Sequence, residues 1–160
     1  MYTEYKSRES CAICNNKNLN TILDFGKMPL AGDFPLQDNL SKSKKYPLAL
    51  QYCDECKLVQ TDSIIDSDFL FKDYRYMSSI GLSKHFESVA NHYKQKFNLT
   101  EKSKVLEIGS NDGVLLKPFM DLNINSIGFD PSINISKVAK EKGCNVIVDY
   151  FSKENVIKYL

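Results

Sequence analysis

The chain has 160 residues, of which 42% are hydrophobic and 26% charged, and its formal net charge is +1. This composition is typical of a globular protein with one ordinary domain or two small ones, and the charge argues against a nucleic-acid partner. Because the sequence has neither a secretory signal nor an apolar run of roughly 20 residues, we predict a cytoplasmic protein with no membrane partner.

The first motifs along the chain are two CxxC pairs. Cys11 and Cys14 form one, Cys53 and Cys56 the other, and 38 residues separate them. Without a secretory signal, paired cysteines more often hold a metal than form disulfides, and four of them complete a closed tetrahedral site. We therefore predict structural Zn²⁺; redox-active or unpaired cysteines are the alternative. The long separation requires a folded segment between the pairs, for which a hairpin and a loop over 23–35 are candidates.

Helix and strand signals alternate in the second half of the sequence. Apolar residues at helical spacing predict a helix over 83–97. Further strands are predicted over 104–108, 126–129 and 145–148, and further helices over 113–122, 132–142 and 153–160. Pro118 is expected to disturb its helix, Gly143 to follow a helix end and Ser152 to cap the last helix. This order predicts an α/β fold with a parallel sheet. Three strands make one half of a doubly wound sheet, so we interpret the sequence as the N-terminal piece of a longer protein.

The turn after the first parallel strand is the best candidate for a cofactor site. It reads Gly109-Ser110-Asn111-Asp112-Gly113 and joins a strand to a helix, the position at which α/β proteins bind cofactors. The dinucleotide pattern GxGxxG is excluded, because Asn111 and Val114 stand where it requires glycine.

Acidic residues indicate the kind of cofactor. Glu107 lies two residues before the turn and Asp112 lies within it. Negative charge at this place suits a cationic cofactor without a pyrophosphate, namely S-adenosylmethionine. Asp130 follows Gly109 by 21 residues, at the distance of an acid that accepts the hydroxyls of a ribose. A strand-to-helix turn that serves another ligand is the alternative.

Four blocks in this order resemble the S-adenosylmethionine-dependent C-methyltransferases of nucleotide-activated deoxysugars. They are the first CxxC with Asp24-Phe25-Gly26-Lys27-Met28-Pro29-Leu30-Ala31, the second CxxC through Gln60, the segment Phe71-Lys72-Asp73-Tyr74-Arg75-Tyr76-Met77-Ser78-Ser79, and the glycine turn. The resemblance implies a small zinc-binding N-terminal domain (1–75), a helical connector (76–100) and the first half of a Rossmann-like methyltransferase sheet (101–160).

The resemblance also implies roles for individual residues. Tyr76 is expected at the substrate with a part in catalysis; from the sequence alone, packing is the alternative. Ser78 and Ser79 are expected near cofactor or substrate. The remaining cofactor-binding residues are Glu107, Gly109, Asn111, Asp112, Gly113 and Asp130.

The implied reaction is methyl transfer to the carbon beside the 4-keto group of a nucleotide sugar. In this family the base lies beyond the position of Leu160, so residues 1–160 are expected to be inactive alone. Two other functions remain open: a non-catalytic zinc-binding or interaction module with a degenerate cofactor loop, and a methyltransferase for another glycan-pathway acceptor. The oligomeric state is not predicted.

Overall fold

The structure is a computed structural model that describes residues 4–32 and 34–160. It has the predicted α/β fold class and divides into two compact units, Met1–Leu70 and Phe71–Leu160. The predicted domain ranges 1–75, 76–100 and 101–160 stay predictions. In the part of the chain that is described, no helix is both long enough and apolar enough to cross a bilayer.

The first unit is built from short antiparallel strands. In chain order they are β1 (Tyr5–Ser7), β2 (Leu19–Pro29), β3 (Lys45–Cys53), β4 (Val59–Thr61) and β5 (Ser63–Ile65). One sheet has the order β2-β3-β4, and β1 pairs with β5 in a second. A 3₁₀ helix (Gln37–Lys42) precedes β3, and a short helix, α1 (Ser67–Phe71), follows β5. The two CxxC pairs flank the long hairpin of β2 and β3, so a hairpin does separate them as predicted.

The predicted loop over 23–35 is wrong in its first part, because β2 continues to Pro29. The turn-forming residues Asp24 and Gly26 make an irregularity within this strand instead of ending it. Gly26 has a φ of 69° and donates its N–H to Asp24 Oδ1 at 2.7 Å, and the pairing with β3 shifts register between Asp24 and Lys27. Such bulges are common on edge strands, where they also discourage pairing with other chains.

The second unit contains the predicted parallel sheet. Its elements are α2 (Ser79–Lys96), β6 (Lys104–Ile108), α3 (Leu116–Asp121), β7 (Asn125–Phe129), α4 (Ile133–Glu141), β8 (Val146–Ile147) and α5 (Lys153–Tyr159). The strand order is β6-β7-β8, with Ile108 opposite Phe129 and Phe129 opposite Ile147. The carboxyl ends of all three strands therefore meet at one edge, where the glycine turn lies.

Two apolar clusters fill the core of the second unit. Ala90 of α2 packs with Phe119 and Ile124, and a separate cluster joins Leu116 to residues of α4 and β8. The apolar face predicted over 83–97 is buried at Ala90 of α2, whereas Tyr93 of α2 and Phe97, the residue after this helix, are 40% and 60% exposed.

The ends of three predicted helices can be compared with the structure at Pro118, Gly143 and Ser152. The helix predicted over 113–122 begins only at Leu116, so Pro118 lies in its first turn, where a missing N–H costs nothing, and the predicted disturbance is wrong. Ser152 does cap the last helix, because its Oγ accepts the N–H of Asn155 at 3.1 Å. Gly143 has a φ of 84°, as expected after a helix end.

Candidate functional site

The four predicted zinc ligands come together in the first unit. Their Sγ atoms all lie within 4.8 Å of one another, with Cys11 Sγ 3.4 Å from Cys56 Sγ and Cys14 Sγ 3.5 Å from Cys53 Sγ. Sulfurs that each lie about 2.3 Å from a tetrahedral Zn²⁺ are about 3.8 Å apart, so the cluster fits this ion. Four thiolates leave no coordination position open, which makes the site structural.

Both CxxC pairs are folded into the same turn. The residue after the second cysteine is Asn15 in one pair and Lys57 in the other, with φ of 59° and 65°. Its N–H donates to the carbonyl of the first cysteine, Cys11 or Cys53, at 3.1 and 2.9 Å. Each of the two turns therefore presents two zinc ligands. The positive φ of Lys57 could not be predicted from the sequence, because lysine does not favour this conformation.

Local hydrogen bonds and burial shift the pKa values of two of these thiols in opposite directions. Backbone N–H groups of Cys14 and Ile13 lower the pKa of Cys11 to about 6. At Cys56, the N–H of Leu58 favours the thiolate, but burial and the neighbouring thiols outweigh it and raise the pKa to about 12. A divalent cation that binds all four sulfurs relieves this mutual repulsion and keeps each ligand ionised.

Gln60 of β4 supports the first CxxC turn, a role that the sequence did not reveal. Its Oε1 accepts the N–H of Ala12 at 2.9 Å, and its Nε2 donates to the carbonyl of Ser10 at 3.5 Å. The side chain thereby links the strand after the second cysteine pair to the backbone of the first.

In the second unit, the end of β7 anchors the predicted cofactor loop, residues 109–113. The carbonyl of Phe129 accepts the N–H groups of Gly109 and Ser110, at 2.8 and 3.2 Å. This connection holds the loop across the carboxyl ends of β6 and β7, the edge at which α/β folds bind ligands.

Three residues of this loop have positive φ, which explains its composition. The angles are 70° at Gly109, 48° at Asn111 and 77° at Gly113, and asparagine is among the few side chains that adopt such values readily. Gly113 also has no room for a side chain, because a Cβ there would lie 2.7 Å from Cys144 Sγ.

Three carboxylates surround the loop, as the sequence predicted. Asp112 is fully buried and Asp130 is 5% exposed. Burial, together with the negative charges of Asp130 and Asp112, raises the pKa of Glu107 to about 7. Glu107 Oε2 and Asp112 Oδ1 are buried and lack hydrogen-bond partners among the described residues. Acceptors of this kind suit a ligand that brings positive charge and hydrogen-bond donors.

Asp130 already has two backbone partners. Its Oδ2 accepts the N–H of Asn111 at 2.8 Å and its Oδ1 accepts the N–H of Ser132 at 2.9 Å. The carboxylate therefore joins the cofactor loop to the start of α4. Each oxygen still has a second lone pair, and the contact with a ribose stays a prediction.

Lys142, which the sequence did not single out, neutralises one of the acids. Its Nζ lies 3.0 Å from both the Oδ2 and the backbone carbonyl of Asp112. The two residues are 30 positions apart, and only the packing of α4 against the loop brings them together. No local pattern in the sequence signals such a pair.

The tyrosine- and serine-rich segment lies against the same loop. The side chain of Asn111 donates from Nδ2 to the carbonyl of Tyr76 at 3.0 Å and accepts the N–H of Ser78 at Oδ1 at 2.8 Å. The N–H of Ser79 is 3.4 Å from Asp112 Oδ2. Tyr76 itself is 49% exposed. The predicted substrate and cofactor residues of this unit are thus neighbours, although 30 residues separate the segment from the loop.

Comparisons with known proteins bear on the zinc site and on the family that the chain resembles. Residues 11–71 match a family model described as "Putative zinc binding domain", which includes all four cysteines. The curated protein C-methyltransferase NovU from Streptomyces niveus is 30% identical over 149 residues, which are 91% of this chain and 36% of NovU. The chain therefore spans about a third of the length of this relative.

Two solved structures resemble part of the chain. The glycopeptide N-methyltransferase MtfA matches 42% of the chain with a TM-score of 0.37 and 17% identity, over 37% of its own length. A SAM-dependent methyltransferase from Archaeoglobus fulgidus matches 51% of the chain with a TM-score of 0.35 and 24% identity, also over 37% of its length.

Proposed function

We propose that this chain is a member of the S-adenosylmethionine-dependent C-methyltransferase family and that it binds S-adenosylmethionine at the loop over 109–113. One observation carries the proposal: Glu107 and Asp112 present buried, unpartnered carboxylate oxygens at the carboxyl edge of the sheet. The cofactor has a sulfonium and an ammonium group, and both find opposite charge there.

Each predicted residue has a proposed part in holding the cofactor. Glu107 and Asp112 supply negative charge, Asp130 accepts from the ribose, and Gly109 and Gly113 let the backbone approach closely. Ser78 and Ser79 add polar groups from the neighbouring segment. When bound, S-adenosylmethionine supplies an electrophilic methyl group. The zinc in the other unit is structural and takes no part in the transfer.

For the acceptor, we propose the carbon beside the 4-keto group of a nucleotide-activated deoxysugar. The name of the relative, C-methyltransferase NovU, and the four sequence blocks support this choice. Transfer to such a carbon requires a base that removes its proton. Tyr76 is not proposed as that base; we place it at the substrate, with a part in catalysis. We expect residues 1–160 to bind the cofactor without turning over substrate. A cytoplasmic location and the absence of a nucleic-acid partner stay predictions from the sequence.

Isothermal titration calorimetry with S-adenosylmethionine and S-adenosylhomocysteine tests the cofactor site. We expect one cofactor per chain and at least tenfold weaker binding of the sulfonium form after Glu107→Gln. Glu101→Gln, at an exposed position outside the loop, is the matched control and should bind normally. Absence of binding in the unsubstituted protein would favour the non-catalytic zinc module.

An assay with methyl-labelled cofactor and a 4-keto nucleotide sugar tests the acceptor and the expected inactivity together. Label in the sugar would support the acceptor and contradict the inactivity. For a longer protein that contains this sequence, label in a different glycan precursor would contradict the acceptor alone.

A further inference from the structure

Residues 74–78, here called the strap, lie between helices α1 and α2, and four of their backbone groups are bound by asparagine side chains. Asn134 accepts the N–H of Tyr74 at 3.1 Å and donates to the carbonyl of the same residue at 2.6 Å. Asn111 binds the carbonyl of Tyr76 and the N–H of Ser78 in the same way. A carboxamide has an NH₂ donor group and a carbonyl acceptor, like a peptide group. Each asparagine therefore makes the hydrogen bonds that the backbone of a neighbouring strand would make.

The two asparagines lie at adjacent strand ends. Asn111 is in the loop after β6, and Asn134 is in the first turn of α4, after β7. The strap therefore crosses the carboxyl ends of both strands, next to the cofactor loop. A fifth bond, from the N–H of Ile133 to the carbonyl of Lys72 at 3.0 Å, holds the chain two residues before the strap.

Asn111 is itself held firmly. It is 8% exposed, and its backbone N–H donates to Asp130 Oδ2. Its carboxamide donates one N–H to the carbonyl of Tyr76 and accepts the N–H of Ser78, so the side chain joins the loop to the strap at two points. The expectation that Asn111 contacts the cofactor stays a prediction, and these contacts indicate a second role for the same side chain.

We propose that Asn111 is a positioning residue, which fixes the backbone of Tyr76 and Ser78 to the cofactor loop and thereby couples the order of the strap to occupancy of that loop. The inference rests on the proposed function of the same site. Because the loop and the strap share one side chain, a ligand that rigidifies the loop also reduces the motion of Tyr76.

Amide hydrogen exchange measured by NMR tests the clamp without any cofactor. Asn111→Asp retains the acceptor for Ser78 but loses the donor to Tyr76. Asn111→Gly loses both and tolerates the positive φ. We expect Ser78 to exchange about tenfold faster in Asn111→Gly, in line with loss of one hydrogen bond, and by less in Asn111→Asp.

Asn155→Asp is the matched control, because Asn155 Nδ2 also donates to a tyrosine carbonyl, that of Tyr150 at 2.8 Å. This variant should leave exchange in the strap unchanged. Equal exchange at Ser78 in all variants would overturn the proposal. If both Asn111 variants fail to fold, amide exchange of Ser78 in the unsubstituted protein is the test, since an unprotected Ser78 amide there would contradict its hydrogen bond to Asn111.

A spectroscopic signal tests the coupling. The sequence has no tryptophan, so Tyr76→Trp gives a single reporter in the strap. Addition of S-adenosylhomocysteine should raise the fluorescence anisotropy of this reporter. The rise should persist when Tyr76→Trp is combined with Asn155→Asp, and it should be absent when Tyr76→Trp is combined with Asn111→Gly. Retention of the rise with Asn111→Gly would overturn the coupling. Absence of cofactor binding by calorimetry would instead reject the proposed function and leave the exchange result standing.

Discussion

At the scale of single residues, the second unit depends on charges placed where water has little access. Asp112 is fully buried and Glu107 is partly buried nearby, and the ammonium of Lys142 forms an ion pair with Asp112. A site with surplus negative charge is poorly arranged for stability alone, and it is suited to a cationic ligand.

Glu107 should make stability depend on pH. Its pKa is raised from the ordinary 4.5 to about 7 by burial and by the charges of Asp130 and Asp112, so the folded protein retains a proton that the unfolded chain has released. This residue's contribution to stability is full below pH 4.5 and is lost as the pH rises through 7. Glu107→Gln should therefore raise the melting temperature at pH 8 relative to the unsubstituted protein, with little difference at pH 5. A difference that stays constant from pH 5 to 8 would contradict the shift, and Glu101→Gln gives the baseline.

Removing Lys142 should expose the cost of a buried, unpaired carboxylate. Lys142→Met is expected to destabilise the second unit by about 3 kcal/mol, and adding Asp112→Asn should recover part of this loss. Urea unfolding of the two single variants and the double variant measures the coupling.

The exposed i,i+4 pair of Lys117 and Asp121 provides the control for that cycle. Lys117→Met should cost less than about 0.5 kcal/mol, because solvent screens an exposed pair. Additive losses in the Asp112 and Lys142 cycle would show that the pair contributes no coupling.

At the scale of elements, the regular segments were predicted where hydrophobic periodicity was strong, and missed where local signals conflicted with pairing. Strand β6 was predicted with the bounds that the structure has, because an apolar run ends at a glycine turn. Strand β2 was predicted as a loop beyond Leu23, because Asp24 and Gly26 favour turns in isolation and pairing with β3 overrides this preference. The start of α3 was placed three residues early, since Gly113 to Leu115 form a bend and turn that precede the helix.

The two glycines of the cofactor loop should differ in their tolerance of alanine. Gly109 faces open space, so Gly109→Ala is expected to cost only the strain of positive φ, about 1–2 kcal/mol. Gly113→Ala adds a collision with Cys144 Sγ and should cost more. The excess should shrink in a Cys144→Ala background. Thermal or urea unfolding measures these differences, and equal costs for the two glycines would contradict the packing.

At the scale of the whole molecule, the two units are stabilised differently. Among the described residues of the first unit, few side chains are buried, and two of them are the zinc ligands Cys11 and Cys53. The second unit has two apolar clusters of its own. Small units with little core generally need a metal or disulfides to fold.

Chelation of zinc should therefore unfold the first unit and spare the second. We expect about one zinc per chain by elemental analysis, and loss of one calorimetric transition after treatment with a strong chelator. Cys53→Ser should reproduce this loss. Cys144→Ala, which removes a cysteine outside the cluster, should retain the metal. An unchanged melting profile without zinc would contradict a structural role.

The sequence by itself determined the features that arise from neighbouring residues. These are the two CxxC turns, the parallel strands, the glycine turn and the acids beside it, because spacing, periodicity and backbone freedom act over a few positions. Only the tertiary structure decided which side chains serve these features. Gln60, Lys142 and the two asparagines of the strap act on backbone 30 to 60 residues away. Their roles depend on buried polar groups that need a partner, and packing, not local preference, selects that partner.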